Sequence, residues 1–89
     1  MATNGHGFIY WWRKDEGKGR IHVCSASPPE NPVSFRGADI IDQALKDDLK
    51  TRNINTGKGC SPDGQNVRVR FRFDITAAGN TVARDVQGF

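Results

Sequence analysis

Long apolar runs are missing. None approaches the ~18 residues needed to cross a bilayer as a helix, and the opening MATNGHGF lacks the charged-then-apolar order of a secretory signal. The expectation is a soluble, cytoplasmic protein. Cysteine is scarce: Cys24 and Cys60 lie far apart, whereas secreted domains stapled by disulfides usually carry four or more. Free, partly buried thiols are expected, with a single disulfide left open. Histidine is as rare, and no Ser, Cys or His has an identifiable catalytic partner, so little general-base chemistry is available and an enzyme is not expected. His22 and Cys24 would share a strand face, as metal ligands can, and His6 and Cys60 could complete a tetrahedron. The spacing fits no standard zinc pattern, so no metal or cofactor is expected. NTGKGC places a lysine between glycines but lacks Walker spacing and the following Ser/Thr.

What is present is a chain of 89 residues, enough for one modest core and hence a single domain over 1–89. The net charge is only +3, yet residues 39–48 hold four aspartates against Lys46, a net of −3, which leaves +6 elsewhere. The basic residues gather in RKDEGKGR and VRVRFRF. A basic face beside an acidic element suits an anionic partner, and a solvated surface would look the same.

GFIYWWR (7–13) is rich in β-branched and aromatic residues and reads as a strand. KDEG (14–17) is a tight turn ending in Gly17, and KGRIHVC (18–24) is the returning strand, with Ile21 and Val23 on one face and Lys18, Arg20, His22 and Cys24 on the other. The prolines of SASPPENP (25–32) force a loop. VSFRG (33–37) is a short strand with Val33 and Phe35 inward. From 38 to 52 the period becomes helical: Ile40, Ile41, Ala44, Leu45 and Leu49 form one stripe, with Asp39 as N-cap and Asp42 in the first turn. Residues 53–66 read as a Gly/Asn/Pro loop. VRVRFRF (67–73) alternates strictly, the pattern of a half-buried strand. ITAAGN (75–80) is a turn and TVARDV (81–86) a last strand.

Strand, strand, strand, helix, strand, strand is the order of an OB-fold. The fold class expected is mainly β: a small five-stranded OB-fold-like barrel with one helix between strands 3 and 4. Closure also removes edges that so short a chain could not cover.

The order of motifs resembles the cold-shock domain family. Its G-x-V-K-W-F-N strand lines up with Gly7, Ile9, Trp11 and Trp12, and its K-G-F-G-F-I with Gly17, Gly19 and Ile21. V-F-V-H-F-S-x-I matches VSFRGADI at Val33, Phe35 and Ile40. An acid followed by G-Q-x-V-x-F matches DGQNVRV, and A-x-N-V matches ARDV. The departures fall on the family's base-stacking rings. Two phenylalanines become Lys18 and Arg20, a phenylalanine and a histidine become Ser34 and Arg36, and the next aromatic is Gly37. The 39–52 helix also exceeds the family's short connection.

The resemblance implies a single-stranded RNA or DNA binding protein, an RNA chaperone or a regulator of transcription or translation. Tyr10, Trp11 and Trp12 would stack bases, with Trp11 favoured by its place in the motif. Neighbours on a strand face opposite ways unless a bulge intervenes, so one tryptophan is expected in the core. Lys18, Arg20 and Arg36 would hold phosphates, and His22 would add charge as pH falls. The competing expectation is a protein-interaction module on an OB scaffold that has lost its stacking rings, meeting its partner through Arg68, Arg70 and Arg72 or the acidic helix.

Overall fold

The computed structural model describes residues 3–25, 32–55, 67–75, 77–78 and 80–88. Most of the expected proline-rich loop, the glycine-flanked lysine of NTGKGC, Cys60 and the DGQ motif lie outside them. The elements run β1 (Thr3–Arg13), β2 (Lys18–Val23), β3 (Val33–Arg36), a 3-10 turn (Gly37–Asp39), α1 (Gln43–Leu49), β4 (Ile54–Asn55), β5 (Arg68–Ile75) and β6 (Thr81–Gly88). β1 pairs antiparallel with both β2 and β5, β2 with β3, and β5 with β6, while β3 runs parallel to β6. The circuit β1-β2-β3-β6-β5 closes on itself as a five-stranded OB-fold-like barrel, and the two-residue β4 is an extra strand along the end of β1.

Alternation fills the barrel. Val69, Phe71 and Phe73 point inward from β5 while Arg68, Arg70 and Arg72 face out. They meet Ile9, Ile21, Val23, Val33, Phe35, Ala83 and Val86 in one core. Each large apolar side chain buried there contributes about 1.5–3 kcal/mol. The glycines of the first hairpin serve backbone geometry: Gly17 takes φ +63 in the turn, and Gly19 lets β2 press against the Trp11 carbonyl.

Two bulges depart from strict alternation. On β1 the register with β2 slips between Ile9 and Trp11, so Tyr10 is the extra residue and both Ile9 and Trp12 point inward. On β6 the slip lies opposite Arg70 and Arg72, where Asp85 takes φ 53, so Ala83 and Val86 both point inward. A bulge adds one residue and so turns the following side chain to the other face.

The helix is shorter than its stripe suggests. Ile40 forms a parallel bridge to Val86, and the Ile41 N–H donates to the Val86 carbonyl at 2.9 Å. These β-branched residues extend the pairing with β6 instead of starting a helix. Ile40 is thereby buried, whereas Ile41 is 61% exposed and Ala44 is also exposed. The N-cap is Asp42, not Asp39. One Asp42 carboxylate oxygen accepts from the Ala44 and Leu45 N–H groups, and the other accepts from the Gly88 N–H at 2.9 Å. The Gly88 bond and then the Leu45 bond hold the Asp42 carboxyl below its ordinary pKa, against the opposing effect of burial, and the Ala44 bond adds the least. Seven residues make too short a helix to persist alone. α1 stands because Leu45 and Leu49 pack into the core, Asp42 ties its start to β6, and Trp12 Nε1 donates to the Leu49 carbonyl at 2.6 Å.

Candidate nucleic-acid interface

The β1 bulge decides which aromatic is available. Trp12 is 4% exposed, stacked on Phe35 with ring centroids 5.3 Å apart, and hydrogen-bonded to Leu49. It is core, and its expected place among the base-stacking residues is corrected. Trp11 lies on the outer face and is partly exposed.

Strand register arranges the neighbours of Trp11 in rows. Opposite Trp11 stand Arg20 on β2 and Asn55 on β4; Arg20 in turn faces Ser34 on β3. Two residues along the strands, Arg13 faces Lys18 and Lys18 faces Arg36, so these cationic side chains line up across β1, β2 and β3. Rows two residues apart on one face are separated by about 7 Å, and adjacent strands by about 4.8 Å. A ring and a guanidinium therefore stand beside a row of positive charge.

A groove of about 490 Å³ runs along this surface, bordered by Trp11, Lys18, Arg20, Ser34 and Arg36, with Asp39 at its margin. The structure thus brings together four of the residues expected from sequence. Arg20 Nη1 donates to the Pro32 carbonyl at 3.0 Å, which steadies the guanidinium over the groove. Asp39 accepts from the Arg36 backbone N–H at 2.9 Å, leaving the guanidinium of Arg36 exposed. Tyr10 and His22 sit elsewhere: their rings stack at 6.4 Å, one to two strand positions from the groove, which they do not border.

Arg13 completes the cationic row, a position that the motif alignment does not mark. Its guanidinium carbon lies 5.7 Å from the Trp11 ring centroid, a cation–π contact. Glu16 is the counter-charge, 3.7 Å from Arg13 and 3.4 Å from Lys18, all on exposed side chains. Such surface pairs contribute about 0–1 kcal/mol. Like charges directly opposite one another across strands oppose folding, and Glu16 offsets part of that repulsion. The sequence did carry a signal for Arg13, since it shares strand parity with Trp11. For Asn55 and Asn53 there was none, because β4 read as loop.

The other charged surfaces are largely engaged within the chain. Arg70 donates to Gln87 at 3.3 Å, Arg72 lies 3.8 Å from Asp85, and Arg84 lies 3.1 Å from Asp74. In the acidic segment Asp47 accepts from Gln43 and pairs with Lys50 at 3.9 Å, and Asp48 pairs with Arg52 at 2.8 Å.

Cys24 corrects another expectation. It is disulfide-bonded, so it is neither a free thiol nor a thiolate ligand beside His22. No helix among the described residues is long and apolar enough to cross a membrane.

No protein-family model matches the chain, and no curated protein matches it. The resemblance to cold-shock domains rests on the order of the motifs alone.

Proposed function

We propose that the groove beside Trp11 binds single-stranded RNA or DNA, as a divergent relative of the cold-shock domains would. The observation that carries this reading is the β1 bulge, which turns Trp11 outward into the row of Arg20 and beside the row of Arg13, Lys18 and Arg36. An exposed ring offers a base a stacking partner worth about 1–3 kcal/mol. The cations supply phosphate contacts and raise the local concentration of a polyanion. Arg20 can do either, because a flat guanidinium stacks on bases as well as pairing with phosphate. A duplex hides its base faces and offers the ring nothing to stack on, so single strands are preferred.

One ring in place of several makes this a weaker and more salt-sensitive site than an aromatic-rich surface. Modest, quickly exchanging binding suits an RNA chaperone or a regulator of transcription or translation.

Titration with a short pyrimidine-rich single strand and with a matched duplex, followed by tryptophan fluorescence at two salt concentrations, tests the reading. Trp11 emission is quenched by the single strand, more weakly by the duplex, and affinity falls as salt rises. No change up to high micromolar oligonucleotide sinks the proposal and leaves the interaction-module alternative standing.

A further inference from the structure

Trp11 borders a second groove. On its far side a cleft of about 290 Å³ is lined by Trp11, Trp12, Arg13, Asn53, Ile54 and Asn55. The cleft exists because β4 pairs with the end of β1, with Trp11 opposite Asn55 and Trp12 opposite Ile54. Trp12 and Ile54 both point inward, so the alternation of β4 turns Asn55 outward beside Trp11. Cross-strand partners hold their Cβ atoms about 4.5–5.5 Å apart, within reach of one base stacked on the indole.

The two asparagines are set differently. The Asn53 side-chain oxygen accepts the Lys14 backbone N–H at 2.9 Å. That bond fixes its amide and leaves the NH₂ group as a donor. The Asn55 side chain is exposed, and among the described residues no group bonds its amide. It can rotate to present donor and acceptor together, the pair that an asparagine uses to grip a base edge in bidentate fashion. A groove of rings and cations alone is tolerant of sequence, because every base has a π-face and every nucleotide a phosphate. An unbonded amide beside the ring removes that tolerance.

We propose that Asn55, assisted by Asn53, reads the hydrogen-bonding edge of a nucleobase next to Trp11, so that this protein discriminates among bases at one nucleotide position. The inference rests on the single-strand reading above and deepens it. The strand crosses from the larger groove, where phosphates meet Lys18 and Arg36, over Trp11 and into the smaller cleft. Arg13, already over the indole, steers the next phosphate.

The test uses the full chain and four short single-stranded homo-oligomers, one per base, with binding measured for wild type, Asn55→Ala, Asn55→Asp and Trp11→Ala. Wild-type affinities span about tenfold or more among the four, the discrimination expected of one good bidentate contact. Asn55→Ala compresses the span while keeping the weakest oligomer's affinity and the salt dependence. Asn55→Asp, which keeps acceptors but loses the donors, reorders the four. Trp11→Ala weakens all of them. Since Asn55 is exposed on a two-residue strand, both variants keep the wild-type melting temperature, and that control accompanies the series. If the wild type binds but the span and order are unchanged in both Asn55 variants, the inference is overturned and the single-strand reading survives. If the wild type binds none of the four, that reading has failed and the inference falls with it.

Discussion

Replacing Gly19 by alanine gives a sign that distinguishes this barrel from a looser one. Gly19 lies in β2 opposite Trp12, and its φ is in the ordinary range for any residue. In an open strand, Gly→Ala at a compatible site stabilises by about 0.4–1 kcal/mol, by narrowing the unfolded ensemble. Here the added methyl would run into the Trp11 carbonyl oxygen, a backbone atom that cannot rotate away, and would stand 3.0 Å from Trp12 Cε3 and 3.1 Å from Phe35 Cε1. Relief requires β1 and β2 to part at the bulge. Overpacking of this kind costs about 1–3 kcal/mol, and a weakened ladder hydrogen bond adds about 0.5–1.5 kcal/mol. Set against the entropic gain, the net is a loss of about 0.5–4 kcal/mol with a midpoint just above 2, and that midpoint lowers the melting temperature by about 10–20 °C for a domain of this size. The assay is thermal unfolding by circular dichroism, with Gly37→Ala as control. A methyl at Gly37 meets nothing closer than 3.8 Å, and its melting temperature stays within a few degrees of wild type. A Gly19→Ala protein as stable as wild type, or more so, refutes the close approach of β2 to β1 and with it the geometry that presents Trp11.

Asp42→Ala removes both the helix cap and the clasp on Gly88. The carboxyl is held below its ordinary value of 3.8 in the folded chain. Its contribution is therefore complete above that value and is lost as pH falls through the lower, folded one. The variant is less stable than wild type at neutral pH, and the gap narrows below 3.8; a gap that does not change with pH removes the charge from the account. Trp12→Phe leaves the Leu49 carbonyl without its donor and costs about 1–3 kcal/mol in chemical denaturation; a variant as stable as wild type removes that bond from the account. Alkylation of the unreduced, denatured chain leaves Cys24 unlabelled in peptide mass spectra, and labelling at Cys24 contradicts its disulfide.

The barrel was legible wherever one physical constraint acted on consecutive residues. VRVRFRF lies between core and solvent along its length, so its alternation carried over directly into β5. Gly17 was readable as the end of the turn, because a residue at φ +63 is most easily glycine. Partners distant in sequence stayed hidden. Ile40 and Ile41 have helical spacing, but their backbone is claimed by Val86, more than forty residues away, and so α1 begins later than the stripe suggests. The bulge at Tyr10 inserts one residue without a sequence mark, and it decides that Trp11 and not Trp12 reaches the surface. Lys18, Arg20 and Arg36 could be placed on one face from sequence, because alternation turns them the same way once the strands are known. Asn55 was not, because a two-residue strand has no period to read.

The salt dependence of single-strand binding tests the central claim most directly, because stacking and phosphate contacts enter it differently. With Arg13, Lys18, Arg20 and Arg36 each neutralising a phosphate, the logarithm of the binding constant falls against the logarithm of salt concentration with a slope of about −3. Substituting glutamine for Arg13, Lys18 or Arg36 makes the slope shallower by about 0.7 in each case. Trp11→Ala lowers affinity at every salt concentration, by about 1–3 kcal/mol, and leaves the slope as it was. A folded Trp11→Ala protein that binds as wild type does, or cationic variants that keep the wild-type slope, would contradict the account.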